Sequence, residues 1–159
     1  MRILAIDPAT KCGWAMDEAS GTWDLSIRKD ESSGMRLIRF EGKLLEVIGI
    51  GIDVIAFESP TVAQGKKANM DGLKLCTKLQ AVIERLTELH EIECIGYNLQ
   101  TIKKHARARK KEELLALARH TWPEREVQDD NEADAIWLLE LAKTNLIAGY
   151  ETPRKRIPF

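Results

Sequence analysis

The chain has 159 residues, 44% of them hydrophobic and 31% charged, with 24 Lys and Arg against 25 Asp and Glu. That length and apolar content suit one domain around one core, and the near-zero net charge gives no hint of a nucleic-acid partner by itself. Cys12, Cys76 and Cys94 are too few and too widely spaced for a zinc knuckle or a disulfide framework. No apolar run approaches the ~20 residues that span a bilayer, and the N-terminus carries no export signal. The expected compartment is a reducing cytoplasm, with no membrane partner.

Residues 1–7, MRILAID, form an apolar run ending in Asp, followed by PATKCG, then WAM, then DEASG. This reads as strand, turn, strand, turn, and TWDLSI over 22–27 alternates as a third strand of an antiparallel meander. From Gly34 to Ile50 the positions Leu37, Phe40, Leu44, Leu45 and Ile48 recur at helical spacing, weakened slightly at Gly42. DVIAF over 53–57 is then a short buried strand that runs into Glu58, Ser59 and Pro60, completing a βαβ-like crossover.

A second helix is expected over 68–90, with Leu75, Leu79, Val82, Leu86 and Leu89 on one stripe and Cys76 and Ile83 beside it. That stripe faces either the sheet or a partner. Residues 92–97 read as another strand, 102–111 as a basic segment, and 112–120 as a helix stopped by Pro123. The final helix covers about 130–147. One α/β domain over 1–148 results, with a five-stranded mixed sheet flanked by helices and a loosely attached basic tail over 149–159.

Charge is segregated along this layout. Cations gather in KKHARARKK (Lys103 to Lys111), at Lys66 and Lys67, and at Arg154 to Arg156, while acids crowd DDNEADAIWLLE, Asp129 to Glu140. Acidic residues suit a helix N-terminus, so capping alone accounts for some of them. A second pattern points further. Asp7 and Glu58 each end an apolar strand, where ligand sites form in open sheets, and Asp130 and Asp134 lie four apart on one side of the last helix, with Asn131 between them. Carboxylates that converge repel one another, which suits oxygen-ligated Mg²⁺ or Mn²⁺ and two-metal phosphoryl transfer.

IDPATKCGWA (6–15), AFESP (56–60), IKKHARARKKEEL (102–114) and DDNEADAIWLL (129–139) together resemble the RuvC family of Holliday-junction resolvases, in its bacteriophage versions, within the RNase H-like superfamily. The motifs stand in family order and at family-like spacing over most of residues 1–148. The resemblance implies an RNase H-like fold and a metal-dependent endonuclease that cuts branched DNA as a homodimer, in a bacterial or phage-infected cell. Residue by residue, it assigns Asp7, Glu58 and Asp134 as catalytic ligands of two Mg²⁺ ions, for which Mn²⁺ would substitute. The family commonly places an Asp or His where this chain has Asn131, so Asp130 is the expected fourth ligand, with the Asn131 carbonyl oxygen as the weaker option.

The same resemblance makes Lys103, Lys104, Arg107, Arg109, Lys110 and Lys111 phosphate contacts, against the ordinary reading of a solvated basic face. Lys66 and Lys67 are further DNA contacts from the loop after Glu58. Glycines that the family often carries between the paired lysines and the K-E-x-x are missing, which puts the local turn in question. The Leu75, Leu79, Val82, Leu86 stripe is the expected dimer face, with packing on the sheet as its alternative. Glu132 and Glu140 are expected in solvent or as caps. Trp14, Trp23 and Trp122 are expected to pack, and His105 and His120 have no assigned role. Two other classes share the fold: a junction-binding protein without catalysis, and an actin-like phosphate-binding domain using Asp7, Pro8, Thr10 and Gly13.

Overall fold

A computed structural model describes residues 1–60 and 70–153. Five strands form one mixed sheet in the order β3-β2-β1-β4-β5. β1 (Ile3–Asp7), β2 (Lys11–Ala15) and β3 (Ser20–Asp24) make the antiparallel meander, while β4 (Val54–Glu58) and β5 (Glu93–Tyr97) extend it in parallel with β1. α1 (Gly34–Ile48) and α2 (Met70–Leu89) connect the parallel strands. α3 (Leu99–Ala106), α4 (Glu113–Thr121) and α5 (Asp130–Leu146) complete the chain. No helix among the described residues is long and apolar enough to cross a membrane.

The period-2 alternation of the strands divides the core in two. Leu4 and Ile6 of β1 and Ile55 and Phe57 of β4 join Phe40, Leu44, Leu79, Ile83 and Leu86 on the α1–α2 side. Ile3, Ala5, Val54 and Ala56 face the opposite side, against α5. The sequence leaves the α2 stripe open between sheet and partner. Here Leu79 and Leu86 are buried in this core and Leu75 and Val82 are partly buried against it, while Leu89 is exposed, so most of the stripe packs on the sheet side.

α5 has no polar face over its middle: every residue from Glu132 to Ala142 is buried. It lies against β1 and β2 on one side and against α3 and α4 on the other. Small residues let it approach. Ala5, Ala15 and Ala56 on the sheet meet Ala133, Ala135 and Ala142 of the same core cluster. At Gly13 the contact is backbone against backbone, because a Cβ there would sit 1.9 Å from the Asn131 carbonyl oxygen. Trp137 fixes the outer side, donating its indole N–H to the Leu114 carbonyl at 3.0 Å and packing edge-on to Trp122 at 4.7 Å.

Three elements differ from the sequence expectation, the first being β2, which starts at Lys11 within the PATKCG segment expected as a turn. β3 starts and ends earlier than residues 22–27, because pairing with β2 sets Ser20 opposite Ala15 and Asp24 opposite Lys11, and the Asp24 carboxylate then accepts the Ser26 N–H and stops the strand. α3 lies partly within the basic segment over 102–111, for which no element is expected. Its Asn98 cap accepts the Thr101 N–H, and Leu99, Ile102 and Ala106 face the core. Tyr150 and Thr152, in the segment read as a loose tail, are anchored: Tyr150 donates to Glu140, and Thr152 Oγ1 lies 3.0 Å from His105 Nε2.

The Gly13 contact is testable against an internal control. Gly13→Ala must displace the start of α5 and should cost about 1–3 kcal/mol, whereas Gly42→Ala, on α1 with nothing within 4 Å of the added carbon, should stabilise by up to about 1 kcal/mol. Thermal or denaturant melts of the two variants check both signs.

A candidate metal centre at the strand ends

The strand alternation that buries Ala5 and Ala56 also decides where the acids point. Ala5 pairs with Ala56 and Ile6 with Phe57, so Asp7 and Glu58 are the next neighbours in the parallel register and share the α5 side of the sheet. α5 brings Asp134 down onto them from its second turn. Carboxylate oxygens of Asp7, Glu58 and Asp134 all lie within 4.8 Å of one another. Asp134 is 1% exposed and Asp7 7% exposed. The three expected ligands are therefore brought together by one register and one helix contact.

The remaining acids of α5 divide by geometry. Asp129 caps the helix, accepting the Glu132 N–H at 2.8 Å and the Thr22 hydroxyl at 2.9 Å. Asp130 is exposed on the first turn and acts on Asp7 and Asp134 through its charge; it is not among the three that converge. Asn131 is half-buried, with its backbone carbonyl against Gly13. The expectation that Glu132 and Glu140 are solvated or capping is corrected in part. Glu132 is 3% exposed, accepting from the Ser20 hydroxyl and the Gln128 N–H, so it is a buried lock that also serves the helix start. Glu140, 2% exposed, holds Tyr150 and Lys143.

Lys111 is turned inward. Its ammonium lies 2.8 Å from Asp134 Oδ2, while Lys104, Arg107, Arg109 and Lys110 are exposed and Lys103 is half-exposed. The turn that aims it needs no glycine. Arg107 itself takes the left-handed conformation at φ 59°, and Glu113 accepts the Arg109 N–H to close the approach to α4. Lys66 and Lys67 lie outside the described residues, as do Arg154 to Arg156. The α2 residue Cys76, which carries no motif signal, sits beside the cluster and donates its thiol to the Pro8 carbonyl at 2.9 Å.

The cluster is electrostatically loaded. Burial pushes the Asp7 carboxyl well above its usual range, and Glu58 and Asp134 push it further. Burial also lifts Glu58 to about 7, with Lys111 opposing and Asp134 adding, and it raises Asp134 despite the nearby ammonium. Burial works against the charge on Lys111, but attraction to Asp134, Asp7 and Glu58 outweighs it and raises the pKa of that ammonium.

Glu58 Oε2 and Asp134 Oδ1 have no hydrogen-bond partner among the described residues, and Oδ2 has only the ion pair. Buried, unpaired carboxylate oxygens are costly, and an all-oxygen set of three acids fits a hard divalent cation. A group whose folded value lies above its ordinary 4.5 binds its proton more tightly when folded. Its contribution to the stability of the metal-free protein is therefore full at low pH and is lost as pH rises toward about 7. Glu58→Gln, which stays neutral, should melt progressively higher than wild type as metal-free buffer is taken from about pH 5 to about pH 8. A melting difference that does not change over that range would contradict the buried-cluster electrostatics.

No protein-family model and no curated protein sequence matches the chain. Among solved structures, it is similar to Thermus thermophilus RuvC in complex with a Holliday junction substrate, with a TM-score of 0.72 and 15% identity over 97% of this chain and 99% of that one. A second Thermus thermophilus RuvC structure matches with a TM-score of 0.67 and 16% identity over 91% and 93% of the two chains. The chain has the RNase H-like fold of RuvC, with a buried acidic cluster able to hold a metal ion at the ends of its central strands.

Proposed function

We propose that the protein is a metal-dependent, structure-selective DNA endonuclease that resolves four-way junctions and related branched DNA, of the type carried by bacteriophages and acting in the cytoplasm of a bacterial or infected cell. The observation that carries this reading is the convergence of Asp7, Glu58 and Asp134 within 4.8 Å, with buried oxygens left unpaired. It is supported by a fold shared with a resolvase solved on its junction. A non-catalytic junction binder would have no use for three mutually repelling acids, two of them buried, so the catalytic reading is preferred.

In this reading Asp7, Glu58 and Asp134 hold the cations, with Asp130 at the rim as the fourth acid and Asn131 as the neutral alternative. Two bound Mg²⁺ ions would supply an activated water nucleophile and charge stabilisation at the leaving oxygen. The chain's own contribution is to fix the ligands at the ends of two central strands and on a packed helix, and to present phosphate contacts. Lys103, Lys104, Arg107, Arg109, Lys110 and Lys111 form the DNA-facing cations, and Lys66 and Lys67, outside the described residues, are further DNA contacts in this reading. Hydrolysis in this reading leaves a 5′-phosphate and a 3′-hydroxyl. Symmetric resolution of a junction needs two sites, so the active species is a homodimer.

The test offers labelled four-way junction, duplex and RNA–DNA hybrid to wild type and Asp7→Asn, with Mg²⁺, with Mn²⁺ and with chelator. Wild type should cut the junction in either metal and not in chelator. Loss of one ligand should remove several kcal/mol of transition-state stabilisation, a rate loss on the order of a thousandfold. Asp7→Asn should still bind the junction and melt no lower than wild type in metal-free buffer, because it removes a repelling charge. Metal-independent cutting, or undiminished cutting by the variant, would overturn the mechanism, and binding without cutting by wild type would favour the non-catalytic class.

A further inference from the structure

The ion pair between Lys111 and Asp134 has a consequence for how the site loads. Three carboxylates face one ammonium, and that ammonium stands 2.8 Å from an oxygen that a cation would need. A divalent ion and Lys111 therefore compete for the same carboxylate. The backbone around Lys111 is fixed, since Glu113 and Leu114 donate their N–H groups to the Lys110 and Lys111 carbonyls, but its side chain is 42% exposed and reaches the cluster on an unbranched stem. It can leave without unfolding anything. When it leaves, the nearest company it has in sequence is the exposed Arg107, Arg109 and Lys110, on the face where a nucleic-acid backbone would lie.

We propose that Lys111 is an internal counter-ion that holds Asp134 in the unloaded protein, gives it up to the entering divalent cation, and transfers to a phosphate of the bound DNA, so that metal and DNA bind cooperatively. This rests on the metal-site reading above and adds to it an order of events. Without DNA, expelling Lys111 leaves an ammonium beside a dication with no anion to receive it, and metal binding is weakened. With DNA in place, a phosphate oxygen accepts the ammonium and the penalty disappears. Coupling of this kind is reciprocal: DNA must raise metal affinity by the same factor by which metal raises DNA affinity.

Calcium binding by calorimetry reads this without turnover, using uncut four-way junction as the second ligand and alkaline buffer to keep the carboxylates ionised. Wild type should bind Ca²⁺ more tightly when the junction is present, by a factor within the roughly 5–150-fold range of such couplings. Lys111→Met should bind Ca²⁺ about 5–10-fold more tightly than wild type in the absence of DNA and lose most of the enhancement by DNA. Lys111→Arg, which keeps the charge, should stay near wild type.

Equal or weaker Ca²⁺ binding by Lys111→Met would overturn the proposal while leaving the metal site standing. A tightening shared by Lys111→Arg would do the same by pointing to packing and not charge. Should Lys111→Met fail to fold, wild type still decides, because absence of coupling between Ca²⁺ and junction would overturn the proposal alone. If wild type shows no Ca²⁺ binding that Asp134→Asn removes, the metal reading itself fails and this inference falls with it.

Discussion

Mutual repulsion of three carboxylates, two of them buried and one half-buried, is the constraint around which this molecule is arranged. Bringing Asp7, Glu58 and Asp134 within 4.8 Å opposes folding, and the fold holds them there through contacts made elsewhere. Strand register sets two of them on the same face. The third depends on α5 approaching β2 closely enough for the Asn131 carbonyl to lie over Gly13. A side chain larger than hydrogen at that one position would lift the helix start, and Asp134 with it.

The helix is held at both ends as well as along its length. At its start, Asp129 and Glu132 tie the first turn to Thr22, Ser20 and the Gln128 backbone, while Arg119 donates to the Val127 and Gln128 carbonyls and fixes the approach. At its end, Glu140 gathers Lys143 and Tyr150, and Lys143 reaches Asp17 in the β2–β3 turn. Between these ends a continuous apolar surface leaves no freedom to rotate, because every face is buried. A ligand carried on such a helix is placed by the whole core, which is how a buried acid can be kept where it is least comfortable.

Much of this was legible from residues alone, and the reasons are local. β1 and β4 are short apolar runs that end in an acid, so both their burial and the placement of Asp7 and Glu58 at the strand ends follow from composition. α1 and α2 show helical spacing over several turns, and α5 is a long apolar run behind an acidic, cap-forming start. α3 escaped because it has only eight residues and its cations masked the Leu99, Ile102, Ala106 spacing, although Asn98 before it was an available cap signal. The α2 stripe was ambiguous in principle, since periodicity shows that a face is buried and not what buries it. Glu132 was misjudged because helical position alone places it off the Asp134 face, whereas β3 comes close enough to supply Ser20. The inward turn of Lys111 had no sequence signal among eight neighbouring residues rich in Lys and Arg; only the path of the chain after Arg107 separates it from the rest.

A bound divalent cation would occupy one small volume, the space bounded by Asp7, Glu58 and Asp134. Crystals grown with Mn²⁺ and bound junction carrying an uncleavable backbone, measured at the manganese absorption edge, test it directly. The account predicts anomalous density between these three carboxylates with the Lys111 ammonium withdrawn from Asp134. Crystals saturated with Mn²⁺ that show no such density, and Lys111 still paired with Asp134, would contradict it.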